Sequence, residues 1–344
     1  MIPVSVITGF LGSGKTTLLA RLLRDPAMCR TAVIINEFGA VGLDHELVAT
    51  SDESFVQLSN GCLCCNVRSD LVLTLGDLAA RRAAATVPPF ERVVVETTGL
   101  ADPAPILHAL MTDRDLCGTY ALDGVVTTVD AVTGLATLRQ HQVSLRQAAV
   151  ADRIVLTKTD VPGAQAAATA ARLAAVNPGA PVLAVVQGAV APTALFDSGI
   201  FDLHGKHPDV RAWLAHEAVA AASGHARHHH DDDITSFCIL RQEPLRAVTL
   251  ALFLSALAEN CGTDLLRMKG IVQVTERPDR PAVIHGVQHV YHAPVWLDAW
   301  PSGDRRTRMV FIGRGIRESW VRNLLELLDA EVADETARRT GAFA

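Results

Sequence analysis

Residues 9–16 spell GFLGSGKT, which satisfies the phosphate-loop pattern G-x-x-x-x-G-K-[ST] in full. Gly9, Gly12 and Gly14 let the backbone curl until the N–H groups around Ser13 close on phosphate oxygens. The helix that must start at Lys15 adds the partial positive charge of its N-terminus. Lys15 is the expected partner of the β- and γ-phosphates, and the Thr16 hydroxyl the expected Mg²⁺ ligand. With Thr17, these residues make the triphosphate end of a nucleotide site.

Two further segments fit the same site. Residues 157–160, TKTD, follow an apolar run and depart from the usual guanine reader N-K-x-D only in having Thr157 for Asn. Asp160 can accept two hydrogen bonds from guanine N1 and N2, where adenine offers no donor, and the stem of Lys158 can cover the base. Bonds to a charged group are worth about 1.5–3 kcal/mol each, so Asp160 alone favours GTP. Residues 96–99, ETTG, end another apolar run. Glu96 is expected near the Mg²⁺ shell or a catalytic water. Gly99 is expected to bring a backbone N–H to the γ-phosphate.

Between these segments lies Cys62-Leu63-Cys64-Cys65. Three thiolates suit Zn²⁺ and softer ions such as Cu(I). A structural zinc site normally takes four protein ligands, so three leave a position open, as suits a site that gives its metal away. Core filler, a redox switch and half of a structural zinc site are the competing readings, and the motif does not say which metal. The chain has seven cysteines, an odd number with one tight cluster, which is not a secreted disulfide framework. Cys29, Cys117, Cys238 and Cys261 sit among apolar neighbours and read as small core residues. His228, His229 and His230, with His225 before them and three aspartates behind, read equally as a loose metal collector or as a solvated linker.

The elements that must hold these residues alternate. Apolar strands are expected at 2–8, 31–35, 92–96, 122–130, 152–157 and 181–186, with helices at 15–24, 71–85, 103–111, 142–150 and 164–176. That is an α/β domain, a P-loop nucleotide-binding fold with a mostly parallel sheet covered on both faces. Three parts follow: the nucleotide domain over 1–190, a linker with the His/Asp tract over 191–233, and a small α+β domain over 234–344. The last reads β-α-β-β-β-α with an antiparallel sheet: strands at 234–241, 265–276, 281–292 and 307–313, helices at 245–259 and 317–330.

Bulk properties narrow the partners. At 49% hydrophobic and 20% charged residues, the chain can build sizeable cores. The net charge of −6 is spread without a basic stripe, so nucleic acid is not the expected partner. No apolar run reaches the ~20 residues that span a bilayer, and the N-terminus lacks a signal-peptide pattern. No membrane partner and a cytoplasmic location are expected.

Taken together, GFLGSGKTT, INEFG, GCLCC, ETTGLADP and TKTD resemble the CobW-like P-loop GTPases. This group includes proteins linked to cobalamin synthesis, nitrile hydratase activation and zinc transfer. The likeness is greatest to its bacterial YjiA-type branch. It extends to RMKGIVQV, IHGVQHVYH and MVFIGRG in the last domain, and so covers nearly the whole chain. The resemblance implies slow GTP hydrolysis, a metal site at Cys62, Cys64 and Cys65 holding Zn²⁺ or Co²⁺, and delivery to a client metalloprotein. It also places Asn36, Glu37 and Gly39 in a first switch segment, with Glu37 and Gly39 sensing the γ-phosphate. Ile35 and Ala40 stand where several relatives carry acids, so a secondary metal site built on those acids is not expected.

The expectation is therefore a GTP- and Mg²⁺-dependent metallochaperone in which Lys15 and Glu96 serve hydrolysis. A regulatory GTPase with structural zinc and a metal-storage protein are the alternatives. Monomer and homodimer are both left open.

Overall fold

In a computed structural model of the chain, residues 1–35, 67–196 and 234–341 are described, and they fall in two compact units, Met1–Phe201 and Asp202–Ala344.

The first unit is built on six parallel strands: β1 (Ile2–Gly9), β2 (Thr31–Ile35), β3 (Arg92–Glu96), β4 (Tyr120–Asp130), β5 (Arg153–Thr157) and β6 (Val182–Ala184). Their order in the sheet is β2-β3-β1-β4-β5-β6, and every pairing is parallel. Runs such as TAVII and RVVVE are rich in β-branched residues without polar alternation, which is what a sheet covered on both faces demands. The covering helices are α1 (Lys15–Leu22), α2 (Val67–Ala83), α3 (Ala104–Thr112), α4 (Gly134–Gln140), α5 (Gln142–Ala149) and α6 (Ala166–Val176). Helix α1 buries Leu18, Leu19 and Leu22 against Ile7, Val94, Val126 and Val155. Each such side chain contributes about 1.5–3 kcal/mol.

The register puts the polar strand ends side by side. Ile7 of β1 is opposite Glu96, Ile35 of β2 is opposite Glu96 from the other side, Gly9 is opposite Thr128, and Asp130 is opposite Thr157. Ligands of open α/β sheets bind outside these carboxyl ends. Strand β2, the last described strand before the cysteines in sequence, ends at Ile35, beside Glu96.

The second unit has an antiparallel sheet of order β10-β9-β8-β12-β7, made of β7 (Ile234–Arg241), β8 (Leu265–Val274), β9 (Arg277–Val287), β10 (Val290–Tyr291) and β12 (Thr307–Arg314), with β11 (Val295–Trp296) on β9. Helices α7 (Ala247–Cys261) and α8 (Glu318–Gly341) supply Phe253, Leu257, Val321 and Leu325 to its core. There Phe311 stacks on Phe237 at 5.1 Å between centroids and meets Phe253 edge-on at 6.4 Å. The expected β-α-β-β-β-α order is present, but the strand expected at 281–292 turns back on itself at Gln288, where φ is 55°, into the end of β9 and β10, and β11 is an addition too short to show a period.

Several local readings change. Helix α4 is an addition to the expected helices: its seven residues begin at Gly134 and carry no capping side chain. Strand β6 spans three residues where six were expected, and Val185 lies beyond it. Leu195 and Phe196 pack into the first core, so that core extends past residue 190. The cysteine reading is corrected in part. Cys29 and Cys117 are exposed and Cys238 half-buried, since the first two sit in turns beside short elements; Cys261 alone of these four is buried. Burial, with Asp264 adding, pushes the Cys261 thiol up to about 11. Among the described residues, no helix is long and apolar enough to cross a membrane.

Candidate nucleotide site

The phosphate loop joins β1 to α1, and Gly9, Gly12 and Gly14 take positive φ values of 142°, 70° and 94°. At Gly14, the residue capping α1, this left-handed backbone sets the first helical N–H groups around the cavity mouth. Ser13 is buried, and its hydroxyl shares a 2.6 Å hydrogen bond with that of Thr128, fixing the loop to β4. The buried Lys15 ammonium donates to the carbonyls of Gly9 at 3.0 Å and Phe10 at 3.2 Å, so it lies across the loop rather than out in solvent.

Thr16 donates to Glu96 Oε1 at 2.8 Å, although the two are 80 residues apart in sequence. Glu96 is 2% exposed. A hydroxyl and a carboxylate brought together at a helix N-terminus are hard oxygen donors of the kind Mg²⁺ selects, so the donor set fits that ion. Thr17 is exposed and lines the same cavity.

The loop after β3 is held on both sides. The Thr97 hydroxyl donates to that of Thr8 at 2.8 Å. Gly99 lies so close to the phosphate loop that a Cβ there would be 2.7 Å from the Leu11 amide nitrogen. From the other side, the fully buried Gln147 of α5 donates to the carbonyls of Gly99 at 3.3 Å and Ala101 at 3.0 Å. Its neighbour Arg146 pairs with Asp102 at 3.0 Å.

At the far end, Thr157 donates to the Ser13 carbonyl at 2.7 Å and to that of Val129 at 3.2 Å. The threonine therefore still ties the base-reading turn to the phosphate loop. Lys158 adopts φ 55° and donates to Asp130 Oδ2 at 2.6 Å. Asp130 Oδ1 accepts from the amides of Val132 at 2.6 Å and Thr133 at 3.2 Å. Burial alone would raise the Asp130 pKa, but the Lys158 hydrogen bond, the two amides and the Lys158 charge together hold it below the usual carboxylate value. Asp160 stands on the exposed turn that follows, outside the cavity walls.

These walls enclose a cavity of about 1010 Å³, at the upper end of ordinary ligand sites. Gly12, Gly14, Lys15, Thr16, Thr17, Glu96, Gly99 and Lys158 all line it. Gly9, Ser13 and Thr157 stand behind as supports. Sequence reasoning missed Asp130, Gln147 and Gln187; only Asp130, an acid closing a buried strand, carried a local signal. Asn36, Glu37, Gly39, the cysteines 62, 64 and 65, and the histidine tract lie outside the described residues. Among the described residues, no group of three or more His, Cys, Asp or Glu could hold a metal.

A parallel sheet, a phosphate loop at the end of its β1 and a carboxylate closing its β3 define a P-loop nucleotide-binding protein. The description "CobW/HypB/UreG, nucleotide-binding domain" matches residues 3–184, and "Cobalamin synthesis protein cobW C-terminal domain" matches residues 234–328. The chain belongs to the CobW/HypB/UreG family. It is similar to the zinc chaperone YjiA of Escherichia coli, 34% identical over 321 residues, covering 93% of this chain and 96% of that one. It is also similar to the zinc chaperone CobW of Sinorhizobium sp, 30% identical over 347 residues and 91% and 92% of the two chains. The crystal structure of Zn(II)-bound YjiA GTPase from E. coli superposes with a TM-score of 0.68 at 29% identity, covering 95% of this chain and 98% of that one.

Proposed function

We propose that this protein hydrolyses GTP slowly and carries zinc to a client protein. One observation carries the reading: the chain matches a zinc chaperone end to end and has both the complete phosphate loop and Cys62, Cys64 and Cys65. The cysteines bind the zinc as cargo, and Co²⁺ is the other ion their thiolates accommodate.

The geometry of the described residues supports the nucleotide roles that follow. Backbone N–H groups from Gly12 to Thr17 hold the phosphates, and Lys15 neutralises the β- and γ-groups. Thr16, with Glu96 beside it, would hold Mg²⁺, which would supply charge neutralisation on the phosphates. Glu96 orients the attacking water. Gly99, Glu37 and Gly39 sense the γ-phosphate. Lys158 covers the guanine while Asp160 swings in from its turn to read N1 and N2. With no arginine assigned to the transferring phosphate, turnover is expected on the order of 10⁻⁴ to 10⁻² per second.

Strand β2, which precedes the cysteines in sequence, ends at Ile35 opposite Glu96, and this start point beside Glu96 supports a coupling between the γ-phosphate and the metal ligands. Coupling between such sites is typically 1–3 kcal/mol, or roughly 5- to 150-fold in metal affinity. The work is cytoplasmic, and the client is a metalloprotein.

Zinc titration of the full-length protein with a non-hydrolysable GTP analogue, with GDP and without nucleotide tests this reading, repeated on Cys64→Ala. Zinc affinity is expected to differ between GTP and GDP states and to collapse in the variant. Equal affinity in all three conditions would reject the chaperone reading in favour of a GTPase with structural zinc.

A further inference from the structure

Two arginines of the nucleotide cavity have no task in the function proposed above. Arg21, in the last turn of α1, and Arg24, just beyond it, line the cavity beside Thr17 and Ala20. Both are exposed, and among the described residues neither guanidinium has an acidic partner or a hydrogen bond. Other arginines of this unit behave differently: Arg146 holds Asp102 at 3.0 Å and Arg92 lies 3.9 Å from Asp123.

Their position follows from the helix. Each helical residue advances about 1.5 Å, so Arg21 lies about 7–8 Å along the axis from Thr16, away from the γ-phosphate end, and Arg24 follows in the turn after the helix. A Cβ on Gly188 would sit 3.2 Å from the Arg21 Cβ and 3.1 Å from the Thr17 carbonyl oxygen. The backbone after β6 therefore crosses α1 at this point, carrying Gln187 to the cavity. Lys158 lines the base end of the same cavity. Arg21 and Arg24 thus flank the stretch between the phosphate loop and Lys158, where the ribose of a bound guanine nucleotide would lie.

Ribose hydroxyls are neutral and need no cation. Lys158 is already matched by Asp130, and Lys15 faces the 5′ phosphates, which leaves the two guanidiniums, among the described residues, as the unmatched positive charge of this stretch. Guanidinium is the side chain best shaped for bidentate phosphate contacts. We propose that this cavity accepts guanine nucleotides carrying a second phosphate group on the ribose 3′ oxygen, and that Arg21 and Arg24 hold that group. The proposal rests on the guanine-nucleotide reading above. It makes such a nucleotide a competitor of GTP, and hence a brake on the zinc cycle.

Calorimetry on the full-length protein decides it, with GDP and guanosine 5′-diphosphate 3′-diphosphate as probes. The wild type should bind the 3′-phosphorylated nucleotide about 10-fold or more tighter than GDP, the increment expected from charge-assisted contacts. In Arg21→Ala/Arg24→Ala the ratio of the two affinities should fall to about one, whatever happens to GDP affinity itself. Arg24→Ala alone should give an intermediate ratio. Equal or weaker binding of the 3′-phosphorylated probe by the wild type, or a preference that survives in the double variant, overturns the proposal. If GDP binds without such a preference, only this proposal fails; if neither probe binds, the guanine reading falls with it.

Discussion

The Thr157 hydroxyl donates to the Ser13 carbonyl at 2.7 Å, joining the turn that reads the base to the loop that holds the phosphates across 144 residues of sequence. The two ends of a bound nucleotide are thereby gripped by parts that cannot drift apart. Thr157 also reaches Val129, so one side chain ties β4, β5 and the phosphate loop together.

Replacing Thr157 by Val keeps its shape and deletes both bonds. The buried Ser13 carbonyl then loses a partner, at a cost of about 1–3 kcal/mol. GDP and GTP affinities should weaken together by roughly 5- to 50-fold, with a lower melting temperature. Calorimetry and thermal unfolding read the two effects, and weakening of GTP alone would place Thr157 elsewhere in the cycle.

Asp130 fixes Lys158, and Asp130→Asn should loosen the cover over the base. Guanine affinity should fall about 10-fold or more, while weak binding of ATP changes little. The same variant carries a pH signature. Because the folded pKa of Asp130 is depressed, its contribution to stability is complete above the ordinary carboxylate value of 3.8 and is lost as pH falls below it through the folded value. Wild-type melting temperature should therefore drop more steeply on acidification below about pH 4 than that of the variant.

Glu96→Gln keeps the hydrogen bond to Thr16 possible while removing the charge. Single-turnover GTP hydrolysis should slow by about 10²-fold or more, the scale on which positioned acid–base groups act, with GDP affinity changed far less. Similar losses in both would make Glu96 a binding group only.

Gln147→Leu removes both donors that hold Gly99 and Ala101. Stability should drop by about 1–3 kcal/mol in chemical unfolding, and hydrolysis should fall more than GDP binding, because the released loop is the one that follows Glu96. A variant as active as wild type would show that the loop is held adequately by Thr97 and Gly99.

How much of this was visible in the chain depends on the range over which each feature is determined. The phosphate loop is one contiguous pattern, and β1 to β5 announce themselves as buried β-branched runs. The two units are visible in the switch from alternating strands and helices before residue 190 to the β-α-β-β-β-α pattern after 234, and the family likeness adds delivery of the metal to a client. The braces were not visible: Gln147 looks like any polar helical residue until α5 is laid against the loop after β3. The exposure of Cys29 and Cys117 is likewise decided by tertiary packing and not by their apolar neighbours. The last helix was expected to end at 330 because its apolar period fades there. It continues to Gly341 on a polar stretch rich in Ala, Glu and Arg, residues that favour helix without a core to face.

The contact of Gly99 with Leu11 has one more implication. With no room for even a methyl group between the two loops, they mesh like teeth on adjoining gears. A displacement of one must turn the other, and beyond Gly99 the chain runs directly through Asp102 into α3. An alanine at 99 would press its methyl group on the Leu11 backbone, so one of the two loops must give way and phosphate binding and hydrolysis would suffer together.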